Sequence, residues 1–240
     1  MASDISTRST KFLREDHADF EIVGKPALVL LHMQRGLAGE GLFIPNWGPN
    51  VRGDIDDSLM IQKCDELAKA FRAKDLPVVF VNAIPNPTGR VPAYGDLFRE
   101  IEAGGTDKRY FTDQRQRDGL EVMLDLEYDE EKDDVLYNWL IGAFTNSGLD
   151  VVLRNRGVET IVWGGFAQQS ACFNSSIVAG DLWFNSIIPV DASVVVVPPT
   201  TPGYHPGLAD VVAEAVVRVL IPAVNRATDT ATVLEKIKEM

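Results

Sequence analysis

Four side chains stand where this chain could do chemistry: Cys172, His32, Asn138 and Gln168. Cys172 lies in VWGGFAQQSACFNSSIVAG (162–180), after two glycines that close an apolar run and at the expected start of a helix. Free N–H groups and the dipole at a helix start lower a thiol pKa and can hold an oxyanion, so the position suits a nucleophile. A small thiol also suits plain core packing. His32 interrupts the apolar run ALVLLHMQ (27–34) between Leu31 and Met33. It is either an acid/base group facing a pocket, with proton donation as its task, or a neutral core histidine held by two hydrogen bonds. Asn138 transfers no proton at neutral pH, but it can donate to a carbonyl, fix a water or tie down a loop.

These residues need a frame. PALVLLHM (26–33), LPVVFVNAIP (76–85), DVLYNW (134–139), VETIVWGG (158–165) and NSIIPVDAS (185–193) read as buried strands. Their expected cores are 27–33, 77–82, 134–138, 158–164 and 186–191. Helical stripes fall between them: one over 57–75 with apolar positions 59, 60, 64, 67, 68 and 71, and a short one over 118–126. Others follow at 147–157, ending on Gly157, at 170–183 and over 206–220. Alternating strands and helices predict α/β class: a single doubly wound domain, its sheet mainly parallel, with helices on both faces. The domain is expected over 25–225, after an N-terminal arm (1–24) and before a polar C-terminal tail (226–240). Residues 86–117 read as an irregular lid or oligomer contact.

Ligands of such sheets bind beyond the carboxyl ends of the strands. That rule selects His32, Gln34, Asn82, Asn138, Trp139 and the turn 165–172. Phe43 and Trp47, from the Gly- and Pro-rich loop 39–50, are expected to line a pocket with Gln34, Asn82, Trp139, Ala171 and Cys172.

Composition narrows the partners. With 23 Lys and Arg against 35 Asp and Glu, the net charge of −12 disfavours nucleic acid and anionic membranes. Part of that charge sits in DLEYDEEKDD (125–134), read as a solvated connector. No apolar run approaches the ~20 residues of a membrane span, and the N-terminus has no apolar signal core. Four acidic residues between Asp4 and Asp19 also weigh against a transit peptide, so a cytoplasmic protein is expected. His17, His32 and His205 lie far apart and the two cysteines form no metal spacing, so neither metal nor cofactor is expected. Dinucleotide, P-loop and GxSxG motifs are missing from the sequence.

Over roughly residues 25–200 the chain resembles the isochorismatase-like (cysteine hydrolase) superfamily. ALVLLHMQRG (27–36) is similar to that family's first-strand ALLVIDMQ motif. NWLIGAFTNSGLDVVLRNRGVETIVWGG (138–165) resembles its K-x-x-x-S-A-F block with the following strand. GFAQQSACFNSSIVAGDLWFNSIIPVDA (165–192) resembles its G-V-A-T-x-x-C block with a closing strand. The resemblance implies a catalytic Asp, Lys and Cys, and this sequence departs at each. His32 holds the Asp position, Asn138 the Lys position, and an ungapped count from Gly165 brings Ala171 to the Cys position, one residue before Cys172. Gln168 holds the Thr position of the family's oxyanion-binding turn, with the family's cis peptide expected between Ala167 and Gln168. Nicotinamidase relatives hold a metal with a D-x-H motif; here that region reads NAIPNP (82–87), so no metal is carried over.

Three functions follow as expectations. The first is an isochorismatase-like hydrolase acting on a small organic molecule by non-thiol acid/base chemistry, with His32, Asn138 and Gln168 as its machinery. The second is a catalytically silent relative that binds a small molecule or serves as an assembly subunit. The third is an amidase using Cys172. The arm, the long 86–117 segment and the resemblance together predict a homo-oligomer, dimer or larger.

Overall fold

A computed structural model describes residues 5–39, 48–84, 126–139, 141–197 and 201–240. Among the described residues seven strands form one sheet, six of them in the order β3-β2-β1-β4-β5-β7: β1 Lys25–Leu31, β2 Val78–Ile84, β3 Asp134–Trp139, β4 Val158–Phe166, β5 Asn185–Pro189 and β7 Arg226–Thr228. The two-residue strand β6, Ser193–Val194, pairs with the end of β4. Every pairing is parallel. β1 and β4 are central, which is why their sequences are apolar almost without interruption.

Helices cover both faces. On one lie α1 (Gly48–Ser58), α2 (Met60–Ala73) and α6 (Thr230–Glu239), which bring Ile55, Leu67, Phe71 and Val233 against Leu28, Leu30 and Phe80. On the other lie α3 (Leu149–Asn155), α4 (Phe173–Asp181) and α5 (Leu208–Ala215), the last continued by a helical segment to Leu220. Leu149, Leu153, Ala179 and Val216 there pack against Ala27, Val29, Leu31 and Trp163. The doubly wound α/β expectation holds. The irregular segment expected over 86–117, the helix expected over 118–126 (bar Leu126), Phe43 and Trp47 lie outside the described residues.

The C-terminal segment differs from the sequence reading. Residues 226–240 are no simple polar tail: Arg226–Thr228 adds a strand beside β5, and α6 packs its apolar stripe on the core. Asp191 fastens the two together, its Oδ1 accepting from the Thr230 N–H at 2.8 Å and its hydroxyl at 2.9 Å. The arm packs on its own chain. Thr160 donates to the Val23 carbonyl at 2.6 Å, and His17 Nε2 lies 3.2 Å from Asp229. The acidic connector is not wholly solvated either. Asp133 is buried, because Arg72 of α2 grips both its oxygens, Nε–Oδ1 at 3.0 Å and Nη2–Oδ2 at 2.6 Å.

Candidate active site at the carboxyl edge of the sheet

β1 ends at Leu31, and the next residue sets the site. His32 has φ 55°, a left-handed conformation, while its N–H still donates to the Val81 carbonyl at 2.9 Å. His is among the residue types that tolerate this region better than most. The kink breaks strand alternation: Leu31 and Met33 would share a face in a continuous strand, yet they pack in opposite core layers. Unbroken alternation would set Leu31 and Met33 on one face and His32 and Gln34 on the other, and the kink replaces that arrangement. The kink leaves the imidazole buried at the strand end, 5% exposed.

Burial pushes the His32 imidazole down to about 4, while the Asn138 side chain and the Phe166 backbone act in the opposite direction, favouring the cation. At neutral pH the ring is neutral. Its resting form is thus a proton acceptor rather than the donor that the sequence reading asked for. Its Nε2 is buried and makes no hydrogen bond of good geometry among the described residues.

Asn138 stands one strand away, in the β3 register opposite Ala83, and is fully buried. Its Nδ2 donates to the Gly142 carbonyl at 2.8 Å, so this amide both ties down the loop and lies beside His32. Of the roles the sequence left open for Asn138, the loop tie is the one made here. Asn82 is buried but belongs to the opposite face of the sheet, by alternation with Ala83. Trp139, 37% exposed, likewise faces away from Asn138. The Gln34 amide pairs with the backbone of β2. It donates to the Ala83 carbonyl at 2.9 Å and accepts from the Ala83 N–H, extending the β1–β2 ladder past the end of β1.

The turn after β4 is built differently. Gly165 has φ 102°, and a Cβ there would collide with the carbonyl oxygen of Leu31, so only glycine lets β4 lie this close to β1. The cis peptide is Phe166–Ala167, one bond earlier than expected. The Gln168 amide is committed on both sides: Nε2 donates to the Val190 carbonyl at 2.9 Å and to Ser193 Oγ at 3.0 Å, while Oε1 accepts from Ser9 Oγ at 3.0 Å. Ala171 and Cys172, expected as pocket lining, are both buried in the core layer that holds Trp163 and Leu31. Cys172 Sγ points back toward the carbonyls of Gly165 (3.6 Å) and Gly164 (3.8 Å), and burial pushes its thiol up to about 12. Whatever the helix start would do to lower that pKa, desolvation outweighs it.

The structure thus brings His32, Asn138 and the Phe166 backbone together, while the Gln168 amide is bound to Ser9, Val190 and Ser193 and the Cys172 thiol is turned into the core. Ser9 and Ser193, which hold Gln168, escaped the sequence reading. Ser9 in particular lies in an arm without periodicity, 159 residues from its partner. Among the described residues, no three His, Cys, Asp or Glu side chains converge as a metal-binding group. No helix among them is long and apolar enough to cross a membrane.

These features define a doubly wound α/β protein whose polar groups gather where strand ends of a parallel sheet converge. The chain belongs to the isochorismatase family: the family profile described as "Isochorismatase domain" matches residues 26–216. Among solved structures it is similar to an isochorismatase family protein from Burkholderia thailandensis. That match has 22% identity and a TM-score of 0.65, covering 89% of this chain and 96% of the other. A cysteine hydrolase from Pseudomonas syringae pv. phaseolicola matches at 19% identity and TM-score 0.67, covering 90% and 93%. N-carbamoylsarcosine amidase from Thermoplasma acidophilum matches at 22% identity and TM-score 0.59, covering 86% and 96%. At these identities the likeness is one of fold. No protein of curated function matches the sequence.

Proposed function

We propose that this member of the isochorismatase family hydrolyses a small organic molecule without a thiol. His32 carries the proton transfers, and Asn138 orients water or ligand beside it. One observation carries this reading: a buried, neutral imidazole, whose Nε2 has no hydrogen bond of good geometry among the described residues, lies next to the Asn138 side chain and the Phe166 backbone. In the scheme, a water adds to the electrophilic carbon of the substrate and gives its proton to Nε2. The imidazolium then returns that proton to the leaving group, so no net proton is consumed. Asn138 and the Phe166 backbone favour the cation, which is the form His32 takes between the two transfers.

The same pKa disfavours a mechanism that begins by protonating the substrate, since only about one ring in a thousand is charged at pH 7. A thiol mechanism is disfavoured by the buried, unionised Cys172. The silent-relative reading keeps one observation in its favour: the Gln168 amide, in the turn where an oxyanion would bind, is fully occupied by Ser9, Val190 and Ser193.

The test is a screen of small amides, N-carbamoyl compounds, hydrazides and vinyl ethers, followed by kcat/KM against pH for the wild type and His32→Asn. The variant should lose ~10²-fold or more, the usual span of general acid–base catalysis. It should also lose the limb that falls as pH drops toward about 4. Equal rates and identical profiles would favour the silent relative.

A further inference from the structure

We propose that residues 5–13 clamp the candidate site, with Ser9 as the positioning residue that fixes Gln168 and, through it, the turn 165–172. The link from clamp to catalysis rests on the hydrolase reading above; the clamp itself rests on geometry.

Ser9 is buried, and its hydroxyl is the arm's contribution to the Gln168 amide, donating to Oε1 at 3.0 Å. The other two bonds of that amide run to Val190 and Ser193, on the far side of the turn. Gln168 is thus held between the arm and the segment after β5. Without the Ser9 hydroxyl, a fully buried amide oxygen loses its donor, which costs more than an exposed hydrogen bond would.

The arm is fastened on either side of that contact. Arg8 Nη1 donates to the Val195 carbonyl at 3.0 Å, and Arg8 Nε lies 3.3 Å from Asp210 of α5. Lys11 Nζ is also 3.3 Å from Asp210. The Arg8 charge also acts on Asp54 of α1, where it lowers the carboxyl pKa against a larger rise from burial. Phe12 and Leu13 pack against the apolar layer that contains Ala171 and Cys172. A short basic segment therefore joins α1, the β6 region and α5 across the turn whose Phe166 backbone faces His32. An arm that served only to cover apolar surface would need no buried hydroxyl on a side chain of that turn.

Hydrogen exchange of the full chain, read by mass spectrometry on peptides spanning 165–172, tests the clamp in the wild type and in Ser9→Ala, Ser9→Thr and Arg8→Gln. The amides of Ser170 and Cys172, both bonded to the Ala167 carbonyl, report directly. Ser9→Ala should exchange about tenfold faster in 165–172, with β1 and β2 unchanged. Ser9→Thr, which keeps the hydroxyl, should match the wild type, and Arg8→Gln should fall between. Three results would overturn the proposal: no acceleration in Ser9→Ala, no rescue by threonine, or equal acceleration throughout β1 and β2. No substrate enters the measurement. Inactivity of the protein on every compound screened would count against the hydrolase reading and leave the clamp standing.

Discussion

The ends of β1 and β4 lie side by side, yet they use their polar groups in opposite ways. At the end of β4 the groups facing β1 and the core are committed: Gly165 fills the space Leu31 leaves, Gln168 makes three hydrogen bonds, and the Cys172 thiol is turned into the core, while Gln169 Oε1 has no partner among the described residues. At the end of β1 a left-handed kink delivers an imidazole whose Nε2 makes no hydrogen bond of good geometry among the described residues. The difference teaches where reactivity can reside. A close-packed turn whose Gln168 amide is engaged on both sides gives rigidity, whereas a buried polar atom without a firm partner costs stability. In the proposed mechanism the β4 turn serves as the wall, and the proton chemistry falls to the β1–β3 half.

Each side of the contrast can be broken separately. The largest effect is expected at Gly165. Gly165→Ala drives a methyl into the Leu31 carbonyl at a φ that side chains rarely adopt, and should destabilise the fold by about 4 kcal/mol in urea unfolding. A loss under about 1 kcal/mol would mean the two strand ends are not tightly apposed.

Next comes the acid response of His32. Its folded pKa is depressed from 6.5 to about 4, so between those values the unfolded chain binds more protons. The stability that His32 allows is complete above pH 6.5 and is lost as pH falls to about 4, by roughly 3 kcal/mol. Unfolding measured across that window should show this slope in the wild type, and His32→Asn should remove it. Identical slopes in both proteins would refute the burial argument.

The smallest effect is expected at Cys172. Cys172→Ala should cost about 1–2 kcal/mol of stability and leave any activity within about threefold of the wild type. The native thiol should resist iodoacetamide at neutral pH. Rapid alkylation with loss of activity would return the nucleophile to the β4 turn.

Much of the frame was legible because the central strands are apolar runs with one outcome open to them. Leu28 to Leu31 and Val78 to Val81 can only be buried on both faces. Arg226–Thr228 was not legible. Three residues with an arginine at one end carry no strand pattern, and they pair only because β5 offers an edge and Asp191 anchors the following helix at Thr230. At the site, the nature of His32 and Asn138 and their place at strand ends followed from sequence. The protonation state of His32 did not, because it depends on burial created by a backbone kink that no neighbouring residue type announces. Gln168 looked free for the same reason: its partners Ser9 and Ser193 come from other segments, and one of them from an aperiodic arm. The orientation of Cys172 hinged on a single residue of register, which the ungapped count to Ala171 had already suggested.

The central claim is that His32 is a buried imidazole held neutral, and its own titration tests this most directly. The chain has three histidines, so ring NMR signals recorded from pH 3 to 9 can be assigned by comparison with His32→Asn. The account predicts a His32 midpoint of about 4, well below that of a free imidazole. A midpoint at or above 6.5 would contradict it, making His32 a solvated or cationic group and removing the basis for its role as proton acceptor.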